Sequence, residues 1–357
     1  MKKPVSKKKA FVPAVIKTDS KVLNDIRSLV DSARQHVAAY ANAELTMLYW
    51  RVGKRIHGEI LKEKRAEYGQ EIVHALSAQL KHEYGDGFSE KNLRRMVQFA
   101  ECFSDEKIVV TLSRQLSWSH FVAILPVREQ LAREFYAEMC RMELWSVRTL
   151  RKKIGSMLFE RTALSKKPDS LIKMELKQLR EEDKLTPDLV FRDPYFLEFL
   201  GLKGSYQEKD LEAAILRDLE SFIMELGVGF TFVERQKRII VDGEDFYLDL
   251  LFYHRHLRRL VAIELKLEKF KPDFKGQMEL YLKWLDKHDR TPGEEHPIGL
   301  ILCAGKSDEQ IELLELGKSG IRLAEYLTEL LPREVLKKKF HEAIQRARLR
   351  LANKAGD

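Results

Sequence analysis

Apolar residues recur at helical spacing through the first half of this chain and at strand spacing through much of the second. From about residue 21, Leu23, Ile26, Leu29, Val30, Ala33 and Val37 form a 3.6-residue stripe, and Leu48, Trp50, Val52, Ile56 and Ile60 continue it past Gly53, a place for close packing. Ile72, Leu76 and Leu80 mark a further helix. Gly85-Asp86-Gly87-Phe88-Ser89 then breaks the pattern, with Ser89 placed to cap a helix over Glu90 to Phe103. Helix, glycine turn, helix is the outline of a helix-turn-helix. Trp118, Phe121, Trp145, Leu150 and Ile154 are expected in the core, and His120 in a packing or capping role.

The second half begins with one helix from Leu211 to Leu226, ended by Gly227 and Gly229. Phe230 to Val241 reads as a strand, Asp242-Gly243 as a hairpin turn, and Phe246 to Tyr253 as its partner strand. A turn at His254 to Arg258, a strand to Leu265, a helix from Phe274 to Leu285 and an apolar strand from Pro297 to Cys303 follow. A helix near Glu309 to Leu316 and a strand near Ile321 complete a mixed sheet. The expected domains are a basic arm (1–20), a helical DNA- or partner-binding domain (21–165), a linker (166–208), an α/β domain (209–335) and a basic C-terminal helix (336–357).

Composition narrows the function. The chain has 357 residues, 44% of them hydrophobic, enough for two cores. A net charge of +8 favours a polyanionic partner such as DNA, with RNA open. Cys102, Cys140 and Cys303 lie far apart, which indicates neither a zinc site nor a disulfide framework and fits a reducing cytoplasm. No run of residues is long and apolar enough for a membrane span.

Charge inside apolar runs marks the chemistry. Asp249 interrupts Phe246–Phe252, and Glu264 and Lys266 sit at the end of Leu260–Leu265. A lone buried carboxylate is costly, so such acids need a partner or a cation. Glu264 and Lys266 share a strand face, and a meander brings Asp249 alongside. Two carboxylates repel unless a hard cation such as Mg²⁺ (or Mn²⁺) lies between them. Glu212, on the apolar stripe of the preceding helix, is a further candidate, with Glu220 as the alternative. Gln277 and Tyr281 lie one turn apart and can reach the same place. Lys91, Arg94 and Arg95 on the second helix of the helix-turn-helix, with Asn92 and Gln98, and Arg255, Arg258, Lys269 and Lys271 beside the strands, are candidate nucleic-acid contacts.

Phe232-Val233-Glu234-Arg235-Gln236, the run from Phe246 to Arg255, Ile263-Glu264-Leu265-Lys266, Lys269-Phe270-Lys271-Pro272 and Gly276-Gln277-Met278 resemble the YhcG-type PD-(D/E)xK nucleases. Leu48-Tyr49-Trp50-Arg51-Val52-Gly53, Gly87 to Leu93 and Leu116 to His120 resemble the N-terminal domain of that family. The family pattern has Gly where this chain has Glu234. The resemblance implies a restriction-endonuclease-like core and a Mg²⁺-dependent phosphodiesterase. Asp249 and Glu264 would bind metal, Lys266 would be the catalytic lysine, Glu212 the helix carboxylate and Gln277 the glutamine of the following helix. It further implies DNA processing or defence against foreign DNA. A homodimer suits paired cuts in a duplex, and a partner protein is the other option. The competing expectations are a non-catalytic DNA-binding or adaptor protein on the same fold, or a helical oligomerisation protein.

Overall fold

The computed structural model describes residues 20–63, 66–166, 169–202, 204–329, 332, 334–336 and 338–342. The basic arm, up to its last residue Ser20, therefore lies outside the described residues, as does most of the C-terminal basic helix. The chain divides into two compact units, one ending at Trp118 and one beginning at Ser119.

The first unit is helical: α1 (Ser20–Glu63), α2 (Ala66–Tyr84), α3 (Glu90–Cys102) and α4 (Glu106–Ser113). The two stripes read before and after Tyr49 belong to one helix of 44 residues. Its second half buries Tyr49 and Ile56 against Val73 of α2 and Leu93 and Met96 of α3. Gly53 is what permits that approach, since a Cβ there would stand 1.8 Å from the Met96 carbonyl oxygen. Ser89 takes the N-cap position of α3 with extended dihedrals, without a side-chain cap bond. Asn92 ties the turn together, donating to the Gly87 carbonyl (2.6 Å) and accepting from Trp118 Nε1 (3.0 Å).

After α5 (Trp118–Ile124), whose first residue ends the first unit, the second unit continues with α6 (Gln130–Glu143), α7 (Val147–Gly155), α8 (Leu158–Lys166), α9 (Asp169–Glu182) and α10 (Pro187–Val190). Then come β1 (Tyr195–Phe196), α11 (Glu208–Arg217), α12 (Leu219–Leu226), β2 (Phe230–Val241), β3 (Glu244–His254) and β4 (Arg259–Lys269). The last elements are α13 (Pro272–His288), β5 (Ile298–Gly305), α14 (Asp308–Leu313) and β6 (Ile321–Leu327). The expected single helix over Leu211 to Leu226 is broken at Asp218, whose ψ of 47° is not helical.

Residues 166–208 are not the bare linker that the sequence indicated. Ile172, Leu176 and Leu179 of α9 are buried, and Arg180 reaches Glu138 of α6 at 2.7 Å. β1 pairs in parallel with β6, and Asp193 accepts from Lys306 Nζ and from the Glu325 amide. The prolines and charges there punctuate packed elements instead of loosening them. α7 and α8 also belong with the sheet-bearing unit: Lys153 donates to the Met224 carbonyl of α12 at 3.0 Å, and Arg161 pairs with Glu225.

The six-stranded sheet has the order β1-β6-β5-β4-β3-β2. β2, β3 and β4 run antiparallel, whereas β4, β5, β6 and β1 run parallel. Val241 pairs with Glu244 across the two-residue turn, and both turn residues have positive φ (Asp242 52°, Gly243 85°), the backbone a primed hairpin turn demands. β5 is buried almost throughout, as is β4 from Leu260 to Leu265, as strands covered on both faces should be. α13 covers one face through Met278, Tyr281, Leu282 and Leu285.

Candidate active site

The β3–β4 ladder opens where the acids begin. Paired residues run from His254–Arg259 to Leu250–Ile263. One step further, the Asp249 amide donates to Glu264 Oε1 (3.3 Å), and the Leu265 amide donates to Asp249 Oδ2 (2.9 Å). Each carboxylate thus takes the amide that the opening ladder leaves without a backbone partner, as buried N–H groups require. The two acids the sequence singled out are brought together by this exchange. Lys266, two residues on and on the same face as Glu264, places Nζ 3.1 Å from Glu264 Oε2 and 5.4 Å from the centre of the Phe274 ring.

Burial sets the electrostatics. Glu264 is 2% exposed, and desolvation, then the neighbouring Asp249 charge, push its pKa up to about 7. Asp249 is also raised, first by desolvation, against the pull of the Leu265 amide and the Lys266 charge. Burial opposes the Lys266 ammonium, but Glu264 beside it outweighs that, and its pKa is raised. Among the described residues no three acidic, histidine or cysteine side chains converge as a closed metal cage. Two facing carboxylates with destabilised charge nevertheless suit Mg²⁺, which takes one or two carboxylates and leaves its other positions to water and phosphate oxygens.

A residue that sequence reasoning passed over links the strands to α11. Gln236 Nε2 donates to Glu212 Oε2 (2.8 Å) and lies 3.2 Å from Asp249 Oδ1. Glu212 therefore belongs to this cluster through an amide, while Glu220 is exposed on α12. Gln236 has a φ of 44°, a left-handed backbone that a non-glycine residue adopts at a cost of about 1–3 kcal/mol. It follows an irregularity in the β2–β3 register between Phe232 and Glu234. A strained residue aimed at two acids is a mark of a site, and only the backbone carries that signal. Glu208, one turn before Glu212, accepts from the Leu267 amide at 3.2 Å and was likewise unmarked in the sequence. Gln277 donates to the Tyr281 hydroxyl (2.6 Å), which donates to the Tyr247 carbonyl (3.2 Å). Tyr281 feels the charges of Glu264, Lys266 and Asp249, so Gln277 is attached to the site through Tyr281.

The expected nucleic-acid contacts fall into separate groups. Lys269 and Lys271 are exposed at the Lys266 end of β4, where Lys271 pairs with Glu268. Arg255 and Arg258 lie at the other end of the strands, about 20 Å from the acids at strand spacing. Arg258 there donates to the Gly293 carbonyl at 2.6 Å. They are not brought to the Asp249–Glu264 cluster, because the β3–β4 turn and the open end of the ladder are opposite ends of one hairpin. On α3, Lys91 and Arg94 are exposed, Arg94 pairs with Glu90 at 2.6 Å, and Arg95 is half-buried. Both side-chain ends of Asn92 are engaged within its own unit, which corrects its reading as a base contact. His120, 3.0 Å from the Trp145 carbonyl, is a packing residue whose pKa burial lowers.

Both parts of the chain match known families. Residues 25–161 match the DUF1016 N-terminal domain and residues 188–341 the YhcG PDDEXK nuclease domain. The protein named "Putative nuclease YhcG" of Escherichia coli (strain K12) is 36% identical over 336 residues, covering 86% of this chain and 89% of that protein. A repair endonuclease from Pyrococcus abyssi is similar over 36% of this chain and 50% of its own, at 24% identity and a TM-score of 0.25. An EndoMS–dsDNA complex is similar over 36% of this chain and 49% of that one, at 18% identity and a TM-score of 0.27. With both halves matched in order and the acids and lysine on facing strands, the chain belongs to the YhcG family, a DUF1016 N-terminal domain followed by a PDDEXK nuclease domain.

Proposed function

We propose that the chain is a Mg²⁺-dependent DNA endonuclease (Mn²⁺ serving in place of Mg²⁺) that works in the cytoplasm, in DNA processing or in defence against foreign DNA. The observation that carries this reading is the pair of facing carboxylates, Asp249 and Glu264, at the open end of a buried ladder with Lys266 beside them. Asp249 and Glu264 would hold the ion, with Glu212 joined to them through Gln236. When bound, the ion supplies Lewis-acid polarisation of the phosphate and acidifies a water. Lys266 then has its ammonium where charge grows on the phosphate oxygens, and its raised pKa keeps it protonated for that role. Phe274 and the apolar core beneath limit water at the lysine, which strengthens this electrostatic effect. Gln277, through Tyr281, would steady the wall of the site.

The net charge of +8 supports a polyanionic substrate. Lys269 and Lys271, at the Lys266 end of β4, would contact the nucleic-acid backbone, as would Lys91, Arg94 and Arg95 on α3. The cytoplasmic placement is supported by three cysteines that lie far apart in the chain, with no C-x-x-C spacing.

The test is incubation of the full chain with supercoiled plasmid, linear single-stranded DNA and RNA, with Mg²⁺, with Mn²⁺ and with chelator, beside Asp249→Ala and Lys266→Ala. Metal-dependent nicking of DNA that both variants lose is the expected result. Equal cutting by the variants would place the chemistry elsewhere, and DNA binding without cutting by any form would favour an adaptor.

A further inference from the structure

The first half of α1 leaves its apolar face exposed. Residues 21–42 are all exposed, although the second half of the same helix is packed in the core of its unit. In water a helical segment of this kind gains most of its stability from burying an amphipathic face, and here the face is present. Val22, Leu23, Ile26, Leu29, Val30, Ala33, Val37, Tyr40 and Ala41 fall within one arc of about 120° at helical periodicity, with no polar residue among them. Glu44 ends the arc, and Asn24, Ser28, Gln35 and Asn42 occupy the opposite side. Leu29 is 71% exposed, Val37 69% and Tyr40 70%. Together the large side chains of the arc offer on the order of 800 Å² of apolar surface, the share of one partner in an interface of standard size. A contiguous patch of that size on a soluble chain marks a contact surface.

We propose that this face of α1 pairs with the same face of a second copy of the chain, in a parallel two-stranded coiled coil. Leu23, Val30 and Val37 recur at one heptad position and Ile26, Ala33 and Tyr40 at the next, alternating in steps of three and four over three heptads. β-branched Val30 and Val37 at the first of these positions favour two strands. Charge selects the direction. Arg27 and Arg34 flank the seam on one side, and Val22, Leu29 and His36 on the other. An antiparallel pair would set the arginine flanks against each other. A parallel pair sets Arg27 and Arg34 of one copy beside Val22 and Leu29 of the second, where their aliphatic stems cover apolar surface and their guanidinium groups reach water.

The test uses the full chain in three forms. Sedimentation equilibrium across the micromolar range should give the mass of two chains for the wild type and of one chain for the double variant Ile26→Asp/Val30→Asp. Asn24→Asp/Gln35→Asp, which adds the same charge to the opposite face, should remain a dimer. In a Cys102→Ser background, oxidation should link Val37→Cys chains through residue 37 and leave Gln35→Cys chains unlinked. A wild type of single-chain mass would overturn the proposal, whether the face is bare or covered by another part of the same chain. A dimer that survives Ile26→Asp/Val30→Asp would move the interface off α1, and a dimer lost in that variant with no link at residue 37 would overturn the parallel pairing. None of these readouts involves cleavage, so the result is independent of the nuclease reading.

Discussion

Two buried carboxylates in the second unit are held in opposite ways. Glu138 of α6 is 1% exposed and lies between two guanidinium groups, Arg141 Nε at 2.9 Å and Arg180 Nε at 2.7 Å. Glu264 of β4 is 2% exposed and has one ammonium and a second carboxylate for neighbours, and its pKa climbs to about 7. At Glu138 the fold gives the buried carboxylate a guanidinium on each side, the two arginines meeting their other acids, Asp183 and Glu134, nearer the surface, and the result joins α6 to α9. At Glu264 it supplies too little, and the remaining deficit is what a divalent cation would fill. Burial alone therefore does not identify a site; burial with an unbalanced charge does.

The largest expected effect falls on cleavage. Lys266→Ala should lower the rate of plasmid nicking by about 10²–10³-fold, because the ammonium proposed to face the phosphate is removed, while protonation of Glu264, whose pKa is already about 7, offsets the loss of its partner in the fold. Glu138→Ala should show the reverse pattern, destabilising the fold by about 3–5 kcal/mol because Arg141 and Arg180 lose their shared partner. Glu264→Gln should abolish metal-dependent cutting yet leave metal-free stability at alkaline pH unchanged or higher. Thermal unfolding beside single-turnover cleavage separates the three. A strongly destabilised Glu264→Gln would mean that the acid is structural and that the contrast with Glu138 is false.

Those charges were legible in the sequence because an acid inside an apolar run is out of place. Strand alternation was enough to put Glu264 and Lys266 on one face, a meander brought Asp249 beside them, and the Asp242-Gly243 turn fixed the neighbouring hairpin. Features that depend on backbone geometry were hidden. Gln236 looks like any polar residue of a largely exposed strand, and nothing in the chain marks its positive φ. The break at Asp218 lies inside an unbroken apolar stripe, so periodicity runs straight through it. β1 is two residues long and has no period to detect. The charged stretch over 166–208 reads as a linker because composition cannot show that Arg180 and Asp193 are engaged in ion pairs. Arg255 and Arg258 were near the acids in sequence, but the hairpin carries them to its far end.

Proton linkage gives the next effect, on the order of 3 kcal/mol, about 1.36 kcal/mol for each pKa unit. A carboxyl raised from 4.5 to about 7 by folding contributes stability that is fully present below pH 4.5 and lost as pH rises through 7. His254 acts in the opposite sense. Burial, then His256, lowers it from 6.5 to about 4, so its contribution is present above pH 6.5 and lost as pH falls through 4. The two overlap in the wild type, and the difference between wild type and Glu264→Gln isolates the acid. In chelator, denaturant titrations should show the variant gaining on the wild type between pH 4.5 and 7, and Mg²⁺ should close the gap at pH 8. A difference flat across that window would show that Glu264 keeps an ordinary pKa and that the charge deficit does not exist.

The smallest effect tests the link between the two sets of acids. Gln236 spends one amide on Glu212 and Asp249, in a backbone conformation that costs it about 1–3 kcal/mol. If it positions both carboxylates, Gln236→Ala should lower cleavage about tenfold at saturating Mg²⁺ and raise the Mg²⁺ concentration needed for half-maximal rate, with little change in affinity for uncut DNA. Gln236→Gly removes the same amide and also relieves the left-handed strain, so it should cut as poorly as the alanine variant while unfolding about 1 kcal/mol later. Loss of stability in the glycine variant would mean that the amide bonds outweigh the strain, and unchanged metal dependence in both would reduce Gln236 to a strand residue. The pair of variants thus separates what the side chain does for the acids from what its backbone takes from the fold, a distinction that Glu138, held by arginines on unstrained helices, never has to make.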